Sequence, residues 1–146
     1  MLPPVTEDTK TYGVADASFR AAGGEAGIRR WVEDFYRIMD SWPPARRIRA
    51  MHPDDLDVSI DKLALFLGGW LGGPKRFREK YGPIALPHAH RHLPIDAEDR
   101  DAWLACMERA LAEQPFEDDF KAYLREQLAI PAERIRRVCA GESPRA

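Results

Sequence analysis

Cysteine is scarce. The 146-residue chain has two, Cys106 and Cys139, too few for a disulfide scaffold, which points to reduced thiols and a cytoplasmic location. No run approaches the roughly 20 apolar residues of a membrane-spanning helix. The opening residues, MLPPVTEDTK, lack the basic start and apolar stretch of a secretory signal. No membrane association is expected. Neither sign of charge dominates: 22 Lys and Arg stand against 24 Asp and Glu, a net charge of −2. A phosphate-binding surface normally carries a cationic surplus, so nucleic acid is not the expected partner. There is no repeat at a solenoid period and no low-complexity tract. No segment keeps the period-two alternation of a strand for long.

What remains is a set of helices punctuated by 10 glycines and 12 prolines. Residues 1–12 read as a flexible arm, 13–141 as one domain and 142–146 as a tail. After Gly23-Gly24, Ile28, Trp31, Val32, Phe35, Tyr36 and Met39 follow helical spacing until Pro43-Pro44. A second broad apolar face carries Leu56, Ile60, Leu63, Phe66, Leu67 and Trp70, and Gly72-Gly73-Pro74 ends it. Pro74 is expected at the first position of a short helix. A long helix is expected from Asp96, an N-cap, with Trp103, Leu104, Met107, Ala110 and Leu111 on its stripe. The last helix follows Pro115 and is expected to break or kink at Pro131. The fold class is all-α.

Three of the four histidines fall in His88-Ala89-His90-Arg91-His92. On a helix His88 and His92 share a face, and His90 points the other way. Three readings follow: a zinc or copper site from His88 and His92, with or without His52; a buried cofactor held by His90 alone; or a solvated polar turn. The large aromatics Phe35, Tyr36, Phe66 and Trp103 suit either a ligand pocket or an ordinary core, and buried Tyr and Trp need hydrogen-bond partners in both cases. Gly23-Gly24-Glu25-Ala26-Gly27 follows no strand and is not a dinucleotide fingerprint. Gly72-Gly73-Pro74-Lys75 lacks the spacing of a phosphate loop. Arg46, Arg47 and Arg49 read as a solvated face, as do Arg134, Arg136 and Arg137. The two cysteines read as small packing residues.

Taken together, the Gly23-Gly24 corner, Phe35-Tyr36, the Phe66-Leu67 helix, Gly72-Gly73-Pro74 and the run Arg100-Asp101-Ala102-Trp103-Leu104-Ala105-Cys106-Met107 resemble the group II truncated hemoglobins. The resemblance runs from Phe19 to Val138 and is ungapped from His52-Pro53 to Leu111. It implies a globin-like, truncated two-over-two helical sandwich around heme b. The family's proximal histidine stands 13 residues before the tryptophan of that run, which is His90 here. The resemblance likewise implies Tyr36 and Trp103 as distal donors, with His52 as a third distal residue and Ser59 at the distal-helix position. Leu63, Phe66, Leu67, Arg76, Tyr81, Leu86 and Leu93 are the implied cofactor contacts.

The family's frequent Arg before the proximal histidine is Ala89 here. Propionate contacts are then expected from Lys75, Arg76, Lys80, Tyr81, His88 or Arg91. The corner around Pro43–Arg46 is a few residues longer than in many members. His52 puts a titratable group where the family commonly has Phe or Tyr. The implied function is reversible binding of dioxygen and other diatomic ligands, with nitric oxide or peroxide detoxification as further chemistry. An electron-donating reductase and a monomer or homodimer are the expected partnerships.

Overall fold

A computed structural model describes residues 11–83 and 90–141. Among these residues seven α-helices run in order: α1 (Ala17–Ala21), α2 (Gly24–Ser41), α3 (Arg46–Ala50), α4 (Asp57–Trp70), α5 (Arg76–Tyr81), α6 (Ala97–Ala112) and α7 (Asp118–Cys139), with a 3-10 turn at Pro43–Ala45. The described residues contain no strand.

The chain turns from α1 into α2 at Gly23 and Gly24, whose φ angles of +83° and +69° suit residues without a Cβ. One turn later Gly27 is buried against the Ala22 carbonyl, so α1 and α2 approach too closely for any side chain there. The expected stripe of α2 is fully realised. Ile28, Trp31, Val32, Phe35, Tyr36 and Met39 are all buried. That face packs against both α4 and α6, and α6 packs against α7, giving the two-over-two arrangement. Phe116, Phe120, Leu124 and Leu128 close the core from α7.

Burial is uneven along two helices. On α4 Leu67 is buried, whereas Ile60, Leu63, Phe66 and Trp70 are only half-covered. On α6 Met107, Ala110 and Leu111 are buried, but Trp103 and Leu104, nearer its start, are half-covered.

Asp96 caps α6 as expected. Its carboxylate accepts from the Asp99 amide at 2.9 Å, and Asp99 accepts from the Asp96 amide at 3.1 Å, a reciprocal capping box. Two expectations need correction. Pro74 stands outside α5, which starts at Arg76, and the Pro74 carbonyl accepts from the Arg76 amide at 2.9 Å. Helix α7 runs through Pro131 to Cys139. Proline removes one amide donor, but Leu124, Leu128 and Ala132 are buried on both sides of it, and their packing holds the helix together.

Candidate functional site

The sequence scatters Tyr36, His52 and Trp103 over 68 positions; the fold brings them to one end of the α2–α6 interface. Phe35 stacks edge-on against both Tyr36 and Trp103, at ring-centroid distances of 4.9 and 5.5 Å. Tyr36 in turn meets the His52 ring at 5.5 Å and 77°. Tyr36 and Trp103 come from facing helical stripes, and His52 from the corner after α3.

Tyr36 is 6% exposed, and its hydroxyl has no hydrogen-bond partner among the described residues. Among the described residues the one fully enclosed side-chain polar atom without a partner is the Trp31 indole nitrogen; the Tyr36 hydroxyl sits on a largely buried ring but keeps contact with open space, where a partner from outside the protein can accept from it. Burial pushes the phenol well above its ordinary range, and the group stays a protonated donor at any physiological pH. The indole N–H of Trp103 likewise meets no acceptor among the described residues. Elsewhere in the fold the apolar groups Ile60, Leu63, Phe66 and Leu93 are only half-covered. Unpaired donors together with incompletely covered apolar groups fit a flat, largely apolar cofactor with a small polar ligand.

His52 is oriented by its neighbour's backbone. Its Nδ1 donates to the Ile48 carbonyl at 2.8 Å, which leaves Nε2 as the acceptor in the neutral ring. Burial is the largest influence on its pKa and lowers it. The Ile48 bond raises it in part, and the charges of Arg49 and His90 lower it again. The electrostatic influence of His90 shows that the two imidazoles lie within range of each other.

His90 is half-buried. Its carbonyl accepts from the Leu93 amide at 2.9 Å and from the Cys139 thiol at 3.0 Å. Cys139 thus ties the end of α7 to the histidine segment, and burial raises its pKa. Cys106, inside the core, is pushed up to about 11 by burial; such thiols are inert. His92 is exposed, and His88, Ala89 and Leu86 lie outside the described residues. Among the described residues no cluster of three metal-ligating side chains occurs.

The cationic and phenolic candidates are engaged elsewhere. Arg76 pairs with Glu25 at 2.5 Å. Tyr81 donates to Asp61 at 2.6 Å, and Lys80 meets the same oxygen at 2.8 Å. These donors hold the Asp61 carboxyl down at about 2. Lys75 donates to the Gly69 carbonyl at 2.9 Å. Arg91 is exposed beside His90.

The basic stretch after Pro44 is no mere solvated face. Arg49 binds Asp40 and the Pro53 and Asp54 carbonyls at 2.8–3.0 Å. Arg47 binds Asp99 and the Pro94 carbonyl. Arg136 and Arg137 both pair with Glu133. The Glu133 pairs have the i,i+3 and i,i+4 spacing of a helix face, whereas no local signal marks Arg47 and Asp99, which are 52 residues apart.

Residues 17–136 match the sequence model of the bacterial-like globin family. The group 2 truncated hemoglobin YjbI of Bacillus subtilis is 32% identical over 117 residues, covering 80% of this chain and 86% of that protein. Among solved structures, the group II 2-on-2 hemoglobin from the plant pathogen Agrobacterium tumefaciens superposes with a TM-score of 0.78 at 35% identity, covering 82% of this chain and 92% of that one. The truncated oxygen-avid haemoglobin from Bacillus subtilis gives a TM-score of 0.73 at 31% identity, covering 81% and 97% of the two chains.

Proposed function

The chain belongs to the bacterial-like globin family, and on that premise we propose that it binds heme b through His90 and reversibly takes up dioxygen and other small diatomic ligands. The observation that carries the proposal is the Tyr36 hydroxyl, on a largely buried ring and without a hydrogen-bond partner among the described residues, in a fold whose α4 and α6 leave large apolar groups half-covered. That a Bacillus subtilis relative is described as oxygen-avid supports the same reading.

When bound, ferrous heme would supply reversible binding of diatomic ligands at its iron. The protein's part is to hold, orient and shield. His90 holds the metal from one side, and its backbone is fixed by the Cys139 thiol. Leu63, Phe66, Leu67 and Leu93 form the apolar wall that excludes water. Tyr36 and Trp103 donate to the ligand, and neither has to abandon a protein partner to do so. With its Nδ1 held by the Ile48 carbonyl, His52 keeps Nε2 as the acceptor of a neutral ring that packs against Tyr36. Each donor contributes on the order of 1 kcal/mol, more where the ligand draws charge. Arg76 and Tyr81 reach a propionate only by sharing with Glu25 and Asp61. Arg91 has the least to give up.

Strong retention of the ligand suits storage, sensing or redox detoxification better than transport. Nitric oxide or peroxide turnover would use the same donors together with an electron-donating reductase. A cytoplasmic setting and a monomer or homodimer accompany this reading. The test is absorption of the purified protein during hemin titration. It should give a Soret band saturating at one heme per chain, then a reversible spectral change between deoxygenated and oxygenated ferrous forms. A protein that stays colourless and takes up stoichiometric zinc or copper would defeat it.

A further inference from the structure

We propose that Arg47 is a positioning residue that fixes the register of both sides of the pocket through a single guanidinium. This rests on the assignment of His90 as the ligand that holds heme.

Arg47 stands on α3. Its Nε lies 3.0 and 2.9 Å from the two carboxylate oxygens of Asp99, and its Nη2 donates to the Pro94 carbonyl at 2.9 Å. The guanidinium is half-exposed, but the Asp99 side chain is only 3% exposed. A solvent-exposed ion pair contributes little. A buried carboxylate at a helix start, already receiving the Asp96 amide, is a fixed point. Each group Arg47 touches leads to one pocket residue. Asp99 lies one helical turn before Trp103 on the same face of α6. Pro94 follows Leu93, whose amide is bonded to the His90 carbonyl. Ile48, the next residue on α3, holds the His52 ring through its carbonyl. The distal corner, the proximal segment and the helix that carries the distal tryptophan are therefore tied at one side chain. Only a planar fork can do this: lysine offers a point charge and cannot bond two acceptors in fixed directions.

The test uses the heme-loaded protein with Arg47→Lys, which keeps the charge facing Asp99, and Asp99→Asn, which keeps an oxygen and removes the charge. Amide hydrogen exchange of Leu93 and Ile95 should quicken at least tenfold in both variants. Exchange at Leu124 and Leu128 in α7 should stay at the wild-type rate. In ferrous Arg47→Lys the iron–histidine stretching band should shift and broaden while histidine ligation persists. Wild-type exchange and an unmoved band in both variants would overturn the proposal, as would equal acceleration in α7, which marks general loosening. His90→Gly is run alongside. If it keeps a histidine–iron band, the His90 assignment fails and this proposal with it. If it loses the band while Arg47→Lys behaves as wild type, the Arg47 proposal alone fails.

Discussion

Tyr36 and His52 are neighbouring rings with opposite needs. The tyrosine ring is largely buried, and its hydroxyl stays protonated and has no protein acceptor among the described residues. A ligand that accepts from it should leave more slowly than one that does not. The net worth of such a bond, about 0.5–1.5 kcal/mol, sets the effect of Tyr36→Phe at a roughly 2- to 10-fold faster dioxygen release, read by stopped-flow displacement. An unchanged rate would mean that the hydroxyl does not reach the ligand. His52 is held below its ordinary value of 6.5, chiefly by burial. The unfolded chain takes up a proton near pH 6.5 while the folded chain resists until lower pH. The contribution of His52 to stability is therefore complete above about pH 6.5 and declines as pH falls from there toward the folded-state value. Urea midpoints measured at pH 7.5 and 5.5 should differ less in His52→Phe than in wild type. An equal drop in the two proteins would show that other groups carry the acid sensitivity.

Element boundaries followed local chemistry closely. Asp96 caps α6 where an Asp followed by an acidic first turn says it should, and the α2 stripe is buried residue for residue. Local rules failed where tertiary contacts outweighed them. Pro131 does not end α7, because packing on either side outweighs one missing donor. The arginines after Pro44 look solvated in sequence, yet their acceptors come from distant or irregular backbone. Of the candidate site, Tyr36, His52 and Trp103 could be singled out in sequence, and the fold links their rings through Phe35 and Tyr36. The holding bonds of Cys139 and Arg47 were not, since no spacing encodes a contact across 49 or 52 residues. Gly27 shows how two element-level effects compete. Alanine favours a helix over glycine by about 1 kcal/mol, but a Cβ at this position meets the Ala22 carbonyl at the tight corner. Overpacking costs about 1–3 kcal/mol, so the collision wins. Gly27→Ala should melt roughly 2–8 °C lower; a higher melting temperature would mean that the corner opens at no cost.

On the scale of the whole molecule, the core is closed where α2, α6 and α7 meet and incomplete along α4 and at the start of α6. A chain of this length can bury a full core, so leaving large apolar groups half-covered and donors unpaired is a division of labour: one part of the bundle provides stability and the other receives a cofactor. Heme binding should therefore add stability in proportion to its free concentration over its dissociation constant. The claim on which all this turns is that His90 holds the metal. The most direct measurement is the iron–histidine stretching band of the ferrous, heme-loaded protein in wild type and in His90→Gly, without and with added imidazole. The account predicts the band in wild type, its loss in the glycine variant and its return, at the frequency of free imidazole, when imidazole fills the gap. A band that survives His90→Gly unchanged would contradict it.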